Sequence, residues 1–208
     1  MKSRFSVILI LLPLSIVAMA QPRLSEPKYQ FGVVGGVEAS MTQFKPSVKQ
    51  TATSPQLGGT AGFIFRYLGH KYCALQLELE WMRRGWHEDT GYIRQFDYLN
   101  LPFMAHIYFG DRFRGYINLG PEIGYCLNST AKSQPSDYGP QYADIDNRFY
   151  WGVCGGLGMY GRTVAGCWQL EARFGYGLGT YFSNRATAYF SNSNPMTLSL
   201  NVAWLWEK

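Results

Sequence analysis

The sequence lacks any long apolar run beyond its first 20 residues, and it is poor in charge and in histidine. Charged residues make up 16% of the 208 positions, with three histidines and four cysteines. A membrane helix needs about 20 consecutive apolar residues, so any membrane crossing after residue 20 must use strands. The formal net charge is +5, but the basic residues form no stripe, so nothing supports nucleic-acid binding.

The first 20 residues have the features of a secretory signal peptide. Lys2 and Arg4 precede an apolar run over 7–17, and Ala18-Met19-Ala20 is a small-x-small cleavage site. We therefore assign residues 1–20 to a signal peptide, 21–28 to a periplasmic lead-in and 29–208 to one domain, a barrel. Export of this kind, together with the strand and loop pattern described below, predicts a protein of the outer membrane of a Gram-negative bacterium.

What the sequence has in abundance is alternation of apolar and polar residues. In the clearest case Leu75, Leu77, Leu79 and Trp81 alternate with the polar positions between them, which is the period of a strand. Aromatic residues at 16% and 23 glycines also suit a narrow barrel. Strands are predicted over 29–41, 57–68, 75–82, 96–109, 113–125, 148–160, 164–178 and 198–206.

The connections between these strands alternate between short and long. Tight turns are predicted at 69–71, 110–112 and 161–163, and long loops at 43–56, 85–95, 127–147 and 179–195. This asymmetry is typical of outer-membrane barrels, which have short periplasmic turns and long external loops. The fold class predicted is all-β, an eight-stranded antiparallel up-and-down transmembrane β-barrel with both termini in the periplasm. Pro102 and Pro121 fall inside strands, where we expect bulges.

The polar faces carry acids and bases that must avoid lipid. A charge facing lipid near the bilayer midplane costs several kcal/mol, whereas acids and bases in a shared interior can pair. The alternative is a soluble lipocalin-like barrel, whose apolar face would point inward. The turn at 110–112 should place His106 beside Tyr116 and Asn100 beside Glu122. The predicted interior ionic network consists of Glu38, Arg66, Glu78, Glu80, Arg84, Glu122, Arg148, Glu171 and Arg173.

The apolar faces carry aromatic residues at both ends of the predicted strands. Amphipathic rings favour the two membrane–water interfaces, so we expect two outward belts. The periplasmic belt would contain Tyr29, Phe31, Phe65, Tyr67, Phe109, Phe113, Trp204 and Trp206. The external belt would contain Trp81, Tyr125, Phe149, Trp151, Phe174 and Tyr176.

Three segments resemble the PorT-like outer-membrane β-barrel family of Bacteroidetes-type bacteria. FGVVGGVEAS at 31–40 resembles its first-strand motif, YLNLPF at 98–103 its central strand, and YINLGP at 116–121 the next strand. The resemblance implies a small outer-membrane barrel. Some family members resemble accessory proteins of the type IX secretion and gliding apparatus, so it also implies a possible accessory role in secretion.

Other candidate sites are weaker. His87 with Asp89 could form part of an outer-membrane rim enzyme, a protease or a lipid-modifying enzyme. Asp137, Asp144 and Asp146 lack the spacing of a calcium loop. We therefore expect no cofactor, no metal and no enzymatic activity.

The remaining predictions concern partners, conduction and the cysteines. The predicted function is that of a monomeric scaffold in outer-membrane lipid, which contacts protein partners through its external loops or periplasmic rim. A small channel is a further alternative, although side chains roughly fill eight-stranded barrels. Cys154 and Cys167 can form a disulfide if Tyr160-Gly161 is the turn, and would be strained if Gly161-Arg162 is.

Overall fold

The chain folds into a closed barrel of eight strands in sequence order. The computed structural model describes residues 23–45, 53–88, 93–110, 113–132, 147–179 and 192–207. Each strand is antiparallel to both neighbours, and β1 pairs with β8 to close the sheet. The strands are β1 (Arg23–Lys45), β2 (Thr53–His70), β3 (Cys73–Glu88), β4 (Ile93–Phe109), β5 (Phe113–Lys132), β6 (Phe149–Thr163), β7 (Gly166–Gly177) and β8 (Asn192–Glu207). The predicted fold class is confirmed.

The two ends of the barrel differ in their connections. Residues 71–72, 110–112 and 164–165 join strands at one end, which we call the tight-turn end. Gly110 and Gly166 have φ of +100° and +135° there, a conformation that glycine adopts without strain. The opposite, long-loop end carries the connections 46–52, 89–92, 133–148 and 178–191.

The predicted long loops were too long because the strands continue past the expected boundaries. The connection predicted over 85–95 is reduced to 89–92, since β3 and β4 stay paired up to His87 and Ile93. The third tight turn is at 164–165 and not at 161–163, because β6 and β7 remain paired as far as Thr163 and Gly166.

Part of the predicted lead-in at 21–28 belongs to a strand. Strand β1 begins at Arg23, which pairs with His70 at the end of β2. A register shift between Arg23 and Lys28 separates this first pair from the regular ladder. The predicted signal peptide at 1–20 lies outside the described residues. In the described residues, no helix has the length and apolar character needed to cross a membrane.

Neither Pro102 nor Pro121 produces the predicted bulge. Pro102 stays opposite Glu122, and Pro121 stays opposite Val153, with no register shift at either proline. Instead each proline interrupts one ladder locally, because it has no N–H to donate. The register shift in the β4–β5 pair lies between Asp97 and Tyr98.

The outer surface is apolar and aromatic. At the tight-turn end, Trp168 and Trp204 stack with ring centroids 5.4 Å apart, and Trp204 lies 4.8 Å from Trp206. Near the long-loop end, Tyr125 pairs with Phe149 across the β5–β6 ladder. The aromatic residues predicted for the two belts all lie on outward-facing positions of their strands. This surface therefore has the composition that a lipid-facing barrel requires.

Candidate functional site

The barrel interior is the candidate site, because its inward positions carry polar and charged side chains. In β4 the burial alternates residue by residue, with the even-numbered positions inward. This arrangement excludes a lipocalin-like interior, since the apolar face is the outer one. Eight members of the predicted ionic network are buried: Glu38, Arg66, Glu78, Glu80, Arg84, Glu122, Glu171 and Arg173.

Arg148, the ninth predicted member, is not part of this interior. It is exposed and precedes β6 at the long-loop end, where its carbonyl oxygen accepts a hydrogen bond from the Cys126 amide at 2.8 Å. The β5–β6 ladder ends at Tyr125 and Phe149, so no further strand pair encloses the Arg148 side chain. The alternation of β6 was therefore extended one residue too far.

Arg173 crosses the lumen from β7 and joins carboxylates on both sides. Its two terminal nitrogens each lie 2.9 Å from an oxygen of Glu78 on β3, a bidentate pair. Its Nε donates to Glu171 at 2.7 Å, and Nη1 lies 3.3 Å from Glu80. Because β3 and β7 are not neighbours in the sheet, this ion pair connects opposite walls of the barrel.

Arg66 forms a second layer, closer to the tight-turn end, with amides as its partners. Its Nε donates to Gln76 at 2.9 Å, and Nη1 donates to Gln30 at 3.2 Å. Nη2 donates to Gln169. The guanidinium also lies 5.7 Å from the centre of the Tyr160 ring. These contacts link β1, β2, β3, β6 and β7 across the lumen and satisfy a buried cation by hydrogen bonds.

Two further polar contacts lie nearer the long-loop end. Arg84 Nε donates to Glu38 at 2.8 Å, and both side chains are 3% exposed. Glu122 accepts hydrogen bonds from the Tyr150 hydroxyl and, at 3.1 Å, from Asn100 Nδ2. The predicted neighbours Asn100 and Glu122 are thus in contact.

The predicted contact between His106 and Tyr116 is also present. Their ring centroids lie 4.6 Å apart, and His106 Nδ1 lies 2.7 Å from Asn118 Oδ1. Asn118 donates in turn to Glu171 at 2.7 Å. His106 therefore belongs to the same hydrogen-bonded network as Arg173.

Glycines on the inner face of β6 provide space for these large side chains. A Cβ on Gly158 would lie 2.2 Å from the Tyr116 ring, and one on Gly156 would lie 2.3 Å from Glu171 Oε1. Real contacts of that length do not occur, so a side chain at Gly158, which also faces the Leu170 carbonyl oxygen at 2.5 Å, would force its neighbours to move, and one at Gly156 would displace Glu171.

An apolar layer closes the lumen at the tight-turn end. We call it the basal cluster; its members are Val34, Ile64, Leu68, Ala74, Tyr108, Tyr116, Tyr160, Cys167, Ala203 and Leu205. In the centre of the barrel, by contrast, a cavity of about 10 Å³ remains, which is room for about one water molecule. The described interior is therefore closely packed at its centre and at the tight-turn end.

A family model described as "Outer membrane protein beta-barrel domain" matches residues 19–183. The chain belongs to this family. It is an outer-membrane barrel of the small eight-stranded type. A search of curated proteins finds no match.

Several solved outer-membrane structures resemble this barrel. Ail, the attachment invasion locus protein of Yersinia pestis, is 14% identical over 86% of this chain and 99% of its own, with a TM-score of 0.47. OprG from Pseudomonas aeruginosa is 11% identical over 89% and 98%, with a TM-score of 0.48. Outer Membrane Protein W of E. coli is 18% identical over 88% and 100%, with a TM-score of 0.45.

The other sites considered in this outer-membrane barrel are not assembled in the described residues. His87 is exposed at the end of β3, and Asp89 lies outside the described residues, as do Asp137, Asp144 and Asp146. No group of three His, Cys, Asp or Glu side chains in the described part of the chain is arranged to hold a metal ion.

Cys154 and Cys167 are both buried, but they are far apart along the barrel. Cys154 pairs with Gly175, whereas Cys167 pairs with Arg162 near the tight turn. The turn at 164–165 shifts the two cysteines to different levels, so both remain free thiols. Neither turn considered from the sequence is the one that forms.

Two interior arginines were not part of the predicted ionic network. Arg94 and Arg114 stack on aromatic rings at opposite ends of the lumen, over Phe96 at 5.6 Å and over Tyr108 at 4.8 Å. Both occupy even-numbered positions, which face inward in β4 and β5; the position of Arg94 was missed because it fell within the loop predicted at 85–95. The glutamines that bind Arg66 were not in the predicted network, because that network was drawn from charged residues alone.

Proposed function

We propose that this protein is a non-enzymatic, non-conducting barrel that serves the outer membrane as a scaffold for protein partners. The observation that carries the proposal is the filled lumen. Side chains join opposite walls at the levels of Arg66 and Arg173, and the basal cluster closes one end. An interior of this kind leaves no continuous water path, so contacts are left to the rims and the long connections.

Conductance tests the non-conducting part of the proposal. The purified protein in planar bilayers should show no steady single-channel current. A variant combining Arg66→Ala, Tyr160→Ala and Arg173→Ala removes side chains from both layers that cross the lumen and from the basal cluster, so it should conduct if it folds; heat-unfolding curves establish whether it does. A steady current from the wild-type protein would show that water crosses the lumen and that the proposal is wrong.

Photo-crosslinking tests the scaffold part. A photoreactive residue placed in turn at positions between 133 and 146 should trap protein partners in intact cells. The same residue at Val202, which is outward and apolar, should trap lipid only. Equal protein crosslinking at both places, or none at the loop, would contradict a partner-binding role for the long loops.

The resemblance to PorT-like barrels supports one specific form of this role, an accessory of type IX secretion. Deletion of the gene should then reduce the release of secreted proteins while leaving other outer-membrane barrels in place. Unchanged release would contradict the secretion role and would be compatible with a general scaffold.

A second candidate, a rim enzyme, is favoured by one observation. Ser54 lies opposite His87 in the β2–β3 ladder, and both are exposed at the long-loop end. A serine next to a histidine can serve as a nucleophile, with the histidine as its general base. If the protein acts on outer-leaflet lipids, its expression should change their acyl chains by mass spectrometry. Ser54→Ala and His87→Ala should abolish the change, and Thr130→Ala should not; unchanged lipids in the wild type would exclude this activity.

A further inference from the structure

The rim of the barrel at the tight-turn end carries more positive than negative charge. Its cations, among the side chains that the structure describes, are Lys28, Lys71, Arg114 and Arg162. The carboxylate described at this rim is that of Glu207. The connection 110–112 adds one residue of each sign, Asp111 and Arg112, and so leaves the balance unchanged. The rim therefore attracts anions.

Two of these cations share one carboxylate. Lys28 Nζ lies 2.8 Å from Oε1 of Glu207, and Arg162 pairs with Oε2 of the same group. The side chains of Lys28 and Arg162 are 52% and 49% exposed, so both charged groups are accessible from outside the barrel. Because one carboxylate balances one cation, one positive charge at this position has no counter-charge among the described residues.

An open groove lies beside this shared ion pair. Its volume is about 500 Å³, within the range of sites that hold small molecules. The residues that line it include Arg162, Val164, Ala165, Trp206 and Glu207. Trp206 faces outward and continues the ring stack of Trp204, 4.8 Å away, and Val164 is fully exposed at the turn. The groove therefore joins a cationic wall to the lipid-facing aromatic surface.

This combination of charge and aromatic surface selects the class of ligand. Tryptophan rings favour the membrane–water interface, and basic side chains close to a membrane surface attract anionic lipids. A soluble acidic protein could pair with the cations, but it would have to displace lipid from Trp206 to fill the groove. A lipid headgroup with its acyl chains matches both walls at once.

We propose that this groove binds the headgroup of an anionic phospholipid in the leaflet at the tight-turn end. The phosphate pairs with Arg162 and Lys28, and the acyl chains pack on the rings of Trp204 and Trp206. The predicted topology makes this the periplasmic leaflet. The site is independent of the scaffold role, because its occupant is a lipid and not a protein.

Quenching of tryptophan fluorescence by brominated lipids tests the proposal. The protein is reconstituted into phosphatidylcholine vesicles that contain increasing fractions of dibrominated phosphatidylcholine or dibrominated phosphatidylglycerol. We expect the brominated phosphatidylglycerol to occupy the groove roughly fivefold better, which is the effect of one basic side chain close to an anionic lipid.

A second sample restricts the signal to the tight-turn end. Replacing Trp81, Trp86 and Trp151 by Phe leaves the fluorescence of Trp168, Trp204 and Trp206. The preference for the anionic lipid should be larger in this variant than in the wild-type protein, because all of its tryptophans are near the groove. The wild-type measurement stands by itself if the variant does not refold.

Charge substitutions identify the site. Lys28→Gln combined with Arg162→Gln should abolish the preference, whereas Arg162→Lys should keep it because the charge remains. Glu207→Gln should increase the preference, since the competing carboxylate is removed. Arg83→Gln is the matched control and should change nothing: Arg83 is 45% exposed and pairs with Asp97, but it lies near the long-loop end.

Two results would overturn the proposal. Equal quenching of the wild-type protein by the two brominated lipids would show that the groove does not select for charge. A labelled polyglutamate peptide that binds the same vesicles would then favour a soluble acidic partner in place of the lipid. A preference that persists when Lys28 and Arg162 are both replaced would show that the anionic lipid binds elsewhere on the barrel.

Discussion

Among the described residues, Arg173 forms ion pairs with the largest number of buried carboxylates. It contacts three carboxylates, and its own side chain is 7% exposed. Isolated burial of this cation would be expensive, and removal of one partner of a buried pair leaves the other charges uncompensated. At the tight-turn rim, Arg162 pairs with Glu207 while remaining 49% exposed, so water compensates that pair.

This difference predicts unequal effects of two arginine substitutions. Arg173→Ala should lower the free energy of unfolding by about 3–5 kcal/mol, whereas Arg162→Ala should lower it by about 0–1 kcal/mol. Urea unfolding in detergent, followed by tryptophan fluorescence, measures both. Similar losses for the two variants would show that the Arg173 network is solvated and not buried.

Among the strands, β6 depends on glycines to pack beside its neighbours. At Gly156 and Gly158 the inner face of β6 has no side chain. Large side chains of the neighbouring strands, Tyr116 of β5 and Glu171 of β7, pack against its backbone there. The strand thereby gives up side-chain packing of its own. In return the barrel interior accommodates an aromatic ring and a hydrogen-bonded carboxylate at the same level.

Two alanine substitutions in β6 should distinguish steric overlap from the general effect of replacing glycine in a strand. Gly158→Ala should destabilise the barrel by about 1–3 kcal/mol, because the added methyl overlaps Tyr116 and a backbone oxygen. Gly161→Ala is the control in the same strand, since its nearest neighbour is a Phe113 ring carbon at an ordinary 3.5 Å. Chemical unfolding of both variants checks this, and an equal loss would contradict the steric explanation.

At the scale of the whole molecule, the barrel has two unlike ends. The tight-turn end holds both chain ends of the described barrel, near Arg23 and Glu207, and is closed by the basal cluster. The long-loop end carries the exposed Arg148 and the connection 133–148. Loops of unequal length at the two ends are the usual feature by which outer-membrane barrels are oriented.

Epitope tags test this orientation. A tag inserted after Pro135 should be labelled by antibody in intact cells, whereas a tag after Asp111, in a tight turn, should be labelled only after the outer membrane is opened. Both variants must first show the same heat-unfolding behaviour as the wild type. Labelling of the Asp111 tag alone would reverse the proposed topology.

Which side of each strand faces lipid, and how the strands follow one another, could be predicted from the order of residues alone. Both properties are local: side chains alternate with a period of two, and short connections force neighbouring strands to be antiparallel. The inward positions of Glu78 and Arg173 could therefore be predicted without knowing that they touch. So could the contact of Asn100 with Glu122, because one tight turn joins their strands.

The contacts across the lumen could not be predicted in this way, because they form only when the barrel closes. The ion pair between Arg173 on β7 and Glu78 on β3 depends on closure of the sheet between β1 and β8, and on register summed over several strand pairs. A turn displaced to 164–165 was enough to separate Cys154 from Cys167. The alternation of apolar and polar residues indicates whether a side chain points into or out of the barrel. Its height along the barrel axis depends on every turn and every register shift around the sheet.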